Sequence, residues 1–257
     1  MRSTCTLHVA ICTFSFLLGS SVGAGENSLE KAKKSFEVSK KEADKRMVRA
    51  FEKAIDALKK DKRIPVETRS RHAAAMEAEK KRFELSNDLP ASDVMLKTTV
   101  EYLNLVHSKR VLLQKEFQKS LEDTIDDRTE FNRISADKAL FDAKLPSRDE
   151  FVSGSNWHGN RTFSGGNAID FHLHVFQIEN NSFKGHIWQD VHSISGKSGW
   201  EFEGNLEGNV VTLTTTKMLH GGARRLELAG FVIGRRLILT ARVNGKPIDD
   251  FVSVGKQ

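Results

Sequence analysis

The N-terminal half of the chain has an apolar pattern with helical spacing. Between Ser28 and Lys60, apolar residues recur mainly three, four or seven positions apart in an otherwise charged segment. Such spacing places them on one stripe of a long amphipathic helix. The stripe consists of Leu29, Phe36, Ala43, Met47, Phe51, Ala54, Ile55 and Leu58.

Three further helices are predicted before the pattern changes. One covers about residues 66–85, the next opens after Ser92 as its N-cap, and a shorter one covers about residues 131–145. Prolines at 65, 90 and 146 mark the breaks, because proline cannot donate to a helical hydrogen-bond ladder. Residues 25–146 are therefore predicted to form an antiparallel helical bundle or a coiled-coil hairpin. The third helix carries Leu96, Val100, Leu103, Val106, Leu113, Phe117, Leu121 and Ile125 on its apolar stripe.

After Pro146 the apolar residues alternate with polar ones, as in half-buried β-strands. Asn244-Gly245 marks a hairpin, and a glycine-bearing pattern at 204–214 repeats at 230–240, which indicates two similar hairpins. We predict about eight short strands over residues 147–257, forming an antiparallel meander that is either a small barrel or a bent sheet. The fold class is therefore α+β in two parts.

The first 24 residues have the order of a cleavable signal peptide. Arg2 precedes an apolar run of about twelve residues, and small residues follow as far as Ala24. A retained membrane anchor is the alternative, although about twenty apolar residues are needed to span a bilayer. Both cysteines, Cys5 and Cys12, lie in this segment, so the mature chain has no thiol. We expect an exported protein, periplasmic or secreted and bacterial, with no membrane span after cleavage.

The charge pattern excludes nucleic acid as an expected partner. The net charge of the full chain is only +6, which is small for a nucleic-acid-binding protein of this length. Residues 31–63 hold 13 basic and 6 acidic residues, whereas residues 116–150 hold 6 basic and 10 acidic ones. These segments either lie side by side as complementary helices or leave a basic helix free to bind an anionic surface. The helices are also candidates for self-association.

A histidine-rich strand is the strongest candidate for chemistry. Nucleophile elbows, zinc-protease motifs and glycine-rich nucleotide loops are all absent from the sequence. Asp170, His172 and His174 alternate with apolar residues and should therefore share one face of a strand. Together with His186 or His192 from the next hairpin they would supply ligands for a divalent metal such as zinc. The alternative is an ordinary polar outer face.

Tryptophan gives a second set of candidates. Trp200 alternates in phase with Phe202 and Leu206, which predicts a core position. Trp188 should face opposite Ile187 and therefore outward, so we assign Trp188 and Trp157 as candidate ligand-binding residues, with a glycan as the ligand. The Gly154-x-x-Trp157-x-Gly159 stretch resembles the tryptophan-bearing first strand of calycin-type barrels, and this resemblance implies a cup-shaped ligand cavity. It covers a handful of residues and none of the helical region.

Three functions are compatible with these observations. The favoured one is a non-enzymatic exported protein in which a helical stalk or association module carries a small β binding domain. The alternatives are a metal-assisted hydrolase that uses the histidine face and a purely structural envelope protein. An exposed aromatic groove on the β domain would favour binding, whereas a smooth polar surface would favour a structural role.

The metal hypothesis predicts about one zinc-like ion per chain in mature protein purified without chelator or a histidine tag. Plasma mass spectrometry would measure it, and the double substitution His172→Ala and His174→Ala should abolish the signal. Absence of metal from the untreated protein would contradict the hypothesis.

Overall fold

The computed structural model describes residues 28–143, 149–163, 168–191, 196–221 and 225–257, except for the side chains of residues 191, 196 and 197. The predicted signal peptide, with both cysteines, and His192 lie outside the described residues. The helices are α1 (Ser28–Lys60), α2 (Val66–Ser86), α3 (Leu96–Asp123) and α4 (Arg128–Asp142), with a 3₁₀ turn at Asp93–Met95. The strands are β1 (Asn156–Phe163), β2 (Ala168–Glu179), β3 (Ser182–Val191), β4 (Gly196–Glu207), β5 (Val210–His220), β6 (Glu227–Ile233), β7 (Arg236–Val243) and β8 (Lys246–Lys256).

The helices form a layer in which α1 packs against both α2 and α3. The predicted stripe of α1 is its buried face, and only Ala54 and Leu58 are partly rather than fully buried. The stripe of α3 is confirmed as far as Phe117, whereas Ile125 lies beyond the helix and is exposed. Among the residues that the structure describes, no helix combines the length and apolar composition needed to cross a bilayer.

Two polar residues precede helical segments, and only one of them caps through its side chain. Ser92 precedes the 3₁₀ turn, but its hydroxyl makes no capping bond and instead donates to Glu79 Oε2 at 2.8 Å. Ser92 is therefore the N-cap residue of the turn that leads into α3, as predicted, but its side chain does not cap because the neighbouring helix offers a charged acceptor. Asp127, by contrast, caps α4: its carboxylate accepts the backbone N–H groups of Thr129 and Glu130 at 3.1 Å each.

The eight strands form a closed antiparallel barrel in chain order, and β8 pairs with β1 to close it. The two similar hairpins predicted from the repeated pattern are β4–β5 and β6–β7. Their turn glycines, Gly208 and Gly234, have φ of 60° and 54°, and Asn244 and Gly245 also have positive φ. Left-handed backbone at these positions produces tight turns that match the twist of the flanking strands. The predicted α+β fold is confirmed, with the barrel rather than the bent sheet.

Large apolar side chains pack together inside the barrel. Trp157, Phe171, Trp200 and Phe202 are all at most 3% exposed and belong to one buried cluster. The cup-shaped cavity implied by the calycin resemblance is therefore largely occupied by the protein's own side chains at these positions.

One ion pair is buried on the inner face of the barrel. The guanidinium of Arg161 in β1 contacts the carboxylate of Asp250 in β8, with Nε–Oδ1 at 3.0 Å and Nη2–Oδ2 at 2.6 Å. Their side chains are only 11% and 6% exposed. The bidentate geometry offsets part of the desolvation cost and joins the two strands that close the barrel.

The helical layer covers the outer face of β6 and β7. Phe231 and Ile238 are opposite each other in the β6–β7 register, and both belong to the buried cluster of the helices. Arg236 donates from Nη1 to the carbonyl of Pro90 at 2.7 Å, and Lys97 pairs with Asp249 at 2.9 Å. The helices and the barrel are therefore in apolar contact at β6 and β7.

Replacing Arg161 by Met should lower the free energy of unfolding by about 3–5 kcal/mol, because it leaves the Asp250 carboxylate buried without its partner. The double substitution Arg161→Met and Asp250→Leu removes both charges and should be much less destabilising. Guanidinium denaturation of the three proteins measures the difference. A double variant as unstable as the single one would contradict a role for charge compensation at this position.

Candidate ligand-binding site

The predicted histidine face lies on the outside of the barrel. Phe171, Leu173 and Val175 of β2 are buried in the interior, so the alternating residues between them point outward. The strand register then determines their neighbours: His172 lies between His158 of β1 and Trp188 of β3, and His174 lies opposite His186 of β3. We call the set formed by His158, His172, His174, Phe176, His186 and Trp188 the histidine–aromatic face.

The rings of this face contact one another in two groups. The centroids of His158 and His172 are 4.3 Å apart, with planes inclined at 32°. Phe176 contacts His174 and His186 edge to face, with centroids 4.8 and 4.3 Å away. His186 also lies 6.4 Å from Trp188. These contacts make the outer surface of β2 and β3 a nearly continuous band of rings, of the kind that binds ligands through ring faces and edges.

The described metal candidates lie on the outer side of β2 and β3 without converging. Asp170, His172 and His174 follow one another along one strand, where alternate residues are about 6.6 Å apart. Of the residues that the structure describes, no group of three or more His, Cys, Asp or Glu side chains is arranged to hold a metal ion. His186 lies beside His174, but Phe176 contacts both rings. The metal site stays a prediction, which elemental analysis tests.

Trp188 lies over a glycine of the neighbouring strand. A Cβ built on Gly199 of β4 would be 2.3 Å from Cζ3 of Trp188 and 2.4 Å from Cε3. The six-membered ring therefore occupies the space where a side chain at residue 199 would lie. Trp188 is nevertheless 38% exposed, whereas Trp157 and Trp200 are 1% and 3% exposed. The prediction that Trp188 faces outward agrees with this placement.

A depression of about 520 Å³ borders Trp188. It crosses β1, β2 and β3 and ends at Gln257, whose backbone N–H donates to the Asn156 carbonyl at 3.0 Å. Amide, imidazole and carboxylate groups surround it, so hydrogen-bond donors and acceptors lie beside an exposed aromatic ring. The lining residues are Asn156, Trp157, His172, Leu173, His174, Trp188, Gln189, Asp190 and Gln257.

Trp157 belongs to the barrel core, although it also borders the depression. Its Nε1–H donates to Ser155 Oγ at 3.0 Å, and its ring lies 5.7 Å from that of Phe151. With 1% of its surface exposed, Trp157 has no ring face available to a ligand. Trp157 therefore has a structural role in the barrel core. Trp188 is the candidate tryptophan whose ring is exposed to a ligand.

Sequence reasoning missed His158 and Phe176 as members of the site. Phe176 is an apolar residue at an outward position of β2, and it is 41% exposed. An apolar residue at a position that the alternation predicts to face outward was the sequence feature that could have identified it. His158 could be placed only by the β1–β2 register, which the sequence does not specify.

Comparison with known proteins gives no identification. No protein-family model matches the chain, and no curated protein matches its sequence significantly. The geometry of the histidine–aromatic face and of the depression beside it is therefore the basis for assigning a function.

Substitution of Gly199 by Ala should displace the Trp188 ring, because the added methyl group overlaps Cζ3 and Cε3. We expect a shift in tryptophan emission and a loss of about 1–3 kcal/mol of stability from overpacking. Gly255→Ala is the matched control, since its Cβ would meet only Arg235 O at 3.8 Å. Fluorescence spectra and thermal unfolding distinguish the two, and identical spectra for wild type and Gly199→Ala would contradict the described ring position.

Proposed function

We propose that this protein is an exported, non-enzymatic glycan-binding protein, in which the helical layer is a scaffold and the histidine–aromatic face binds the sugar. The observation that carries the proposal is Trp188, an exposed ring supported by Gly199 and bordered by hydrogen-bonding side chains. Export is inferred from residues 1–24, which lie outside the described residues.

The chemistry of the depression suits a sugar. The apolar faces of sugar rings stack on aromatic side chains, and their hydroxyl groups need donors and acceptors at the edge of that contact. Trp188 supplies the ring, while Asn156, His172 and Gln257 are among the polar residues beside it. A site that combines one aromatic surface with a few placed polar groups is typical of small-ligand recognition.

The shape of the site favours a chain-like ligand over a small isolated one. The depression extends over three adjacent strands, and the band of rings continues from Trp188 past His186 to Phe176. A polysaccharide can follow such a surface and contact several rings in succession. We therefore propose a neutral polysaccharide as the ligand class, with Trp188 as the main stacking residue and Phe176 as a second one.

Removing the Trp188 ring should weaken polysaccharide binding by about tenfold, because a stacking contact and its buried area are lost together. Mature wild-type protein would be tested for co-sedimentation with cellulose, chitin, xylan and peptidoglycan, followed by titration of Trp188→Ala with whichever polymer binds. Phe176→Ala should give a smaller loss.

Val243→Ala is the control, because Val243 is a 55% exposed apolar residue on β7, away from the depression. Its affinity should equal that of the wild type. Failure of the wild type to bind any of the four polymers would contradict the proposal, as would equal binding by the wild type and Trp188→Ala.

A further inference from the structure

A second concave site lies in the helical layer, next to the end of β6. It has a volume of about 760 Å³, within the range of about 300–1,000 Å³ that is usual for small-molecule sites. Residues from α1, α3 and α4 form most of its wall, and Ile233 at the end of β6 contributes from the barrel. It is separate from the depression on β1–β3, with which it shares no lining residue.

The wall of this cavity is mainly apolar and aromatic. Phe141 contacts Phe36 and Phe117, with ring centroids 5.4 and 5.7 Å apart. Leu140 borders the cavity and is 66% exposed, so an apolar surface reaches the solvent there. The remaining apolar lining residues are Leu89, Leu103, Val106, Leu113 and Ile233. Such a wall would bind an alkyl chain through the hydrophobic effect.

The cationic groups that line the cavity differ in their partners. Lys33 Nζ pairs with Asp137 at 2.7 Å and Lys40 Nζ with Asp44 at 2.9 Å. Arg110 is different: its Nε is buried without a hydrogen-bond partner, and no described carboxylate forms an ion pair with it. Of the carboxylates lining the cavity, Asp137 is paired with Lys33, and Glu37 is exposed on α1.

Among the described residues, no carboxylate compensates the charge of Arg110. Burial lowers the pKa of its guanidinium, and only the nearby Tyr102 acts in the opposite direction. Arginine nevertheless stays protonated in proteins, so this partly buried cation would be stabilised by an anion. Tyr102 cannot supply it, because burial raises the pKa of its phenol and its hydroxyl donates to Asp44 at 2.9 Å.

We propose that this cavity binds a single-chain anionic amphiphile, with its alkyl chain along the aromatic wall and its anionic head group at Arg110. A carboxylate or phosphate oxygen would accept an N–H of the Arg110 guanidinium that lines the cavity, and the guanidinium would provide the opposite charge. The apolar wall and the uncompensated cation together select this ligand class: an uncharged chain would leave Arg110 unpaired, and a cationic one would be repelled.

Calorimetric titration with probes of equal chain length tests the proposal. Dodecanoate should bind mature protein with one site per chain, whereas dodecylamine should bind at least about tenfold more weakly because its head group is repelled by Arg110. Dodecyl phosphate distinguishes the two anionic head groups, and the tighter of the two anions identifies the head group. Equal affinity for dodecanoate and dodecylamine would overturn the proposal.

Arg110→Gln should weaken dodecanoate binding by about tenfold or more, because a charge-assisted hydrogen bond is lost. Lys109→Gln is the matched control: it makes the same change of charge on the same helix, but Lys109 does not line this cavity. Trp188→Ala should leave dodecanoate binding unchanged, which separates this site from the proposed glycan site. Circular dichroism and thermal unfolding would verify that each variant is folded. Equal losses in the Arg110 and Lys109 variants would contradict a head-group site at Arg110.

Discussion

The packing of the helical layer on the outer face of β6 and β7 determines how the rest of the surface can be used. Phe231 and Ile238 point away from the barrel interior, yet they are 3% and 0% exposed because the helices cover them. Burial of these two side chains joins two parts of the chain that could otherwise move independently. It also leaves β2 and β3, which are four strands away around an eight-stranded barrel, uncovered by this packing.

Both candidate sites depend on this arrangement. The histidine–aromatic face lies on the opposite side of the barrel from the described helices, and rings such as Phe176 and Trp188 are exposed there. The second cavity arises where the helices meet the end of β6, since Ile233 completes a wall that is otherwise helical. Neither site is the barrel interior, which is packed with aromatic and aliphatic side chains.

The fold was predictable largely because burial imposes periodicity. In the stripe of α1 from Leu29 to Ile55 and in the alternation around Phe171, apolar residues are buried in the core and polar residues face the solvent. Ile238 was harder to place, since a strand covered on both faces has no alternation to read. Barrel closure depends on pairing between β1 and β8, which are far apart in sequence and carry no local signal of it.

The sites were less predictable because surface side chains are not constrained by burial. The sequence placed Asp170, His172 and His174 on one face, but which residues lie beside them depends on strand register. Trp157 and Trp188 looked equivalent as candidates, and only burial separates a core residue from an exposed one. No local sequence pattern reveals that Arg110 Nε is buried without a described hydrogen-bond partner, because this depends on how the helices pack.

Iodide quenching of tryptophan fluorescence, with and without bound polysaccharide, tests most directly whether the uncovered side of the barrel is the binding surface. Trp157 and Trp200 are buried, so the quenchable emission comes mainly from Trp188. A bound polysaccharide should therefore protect this emission from iodide. Unchanged quenching at saturating polysaccharide would show that the ligand binds elsewhere and would contradict the central claim.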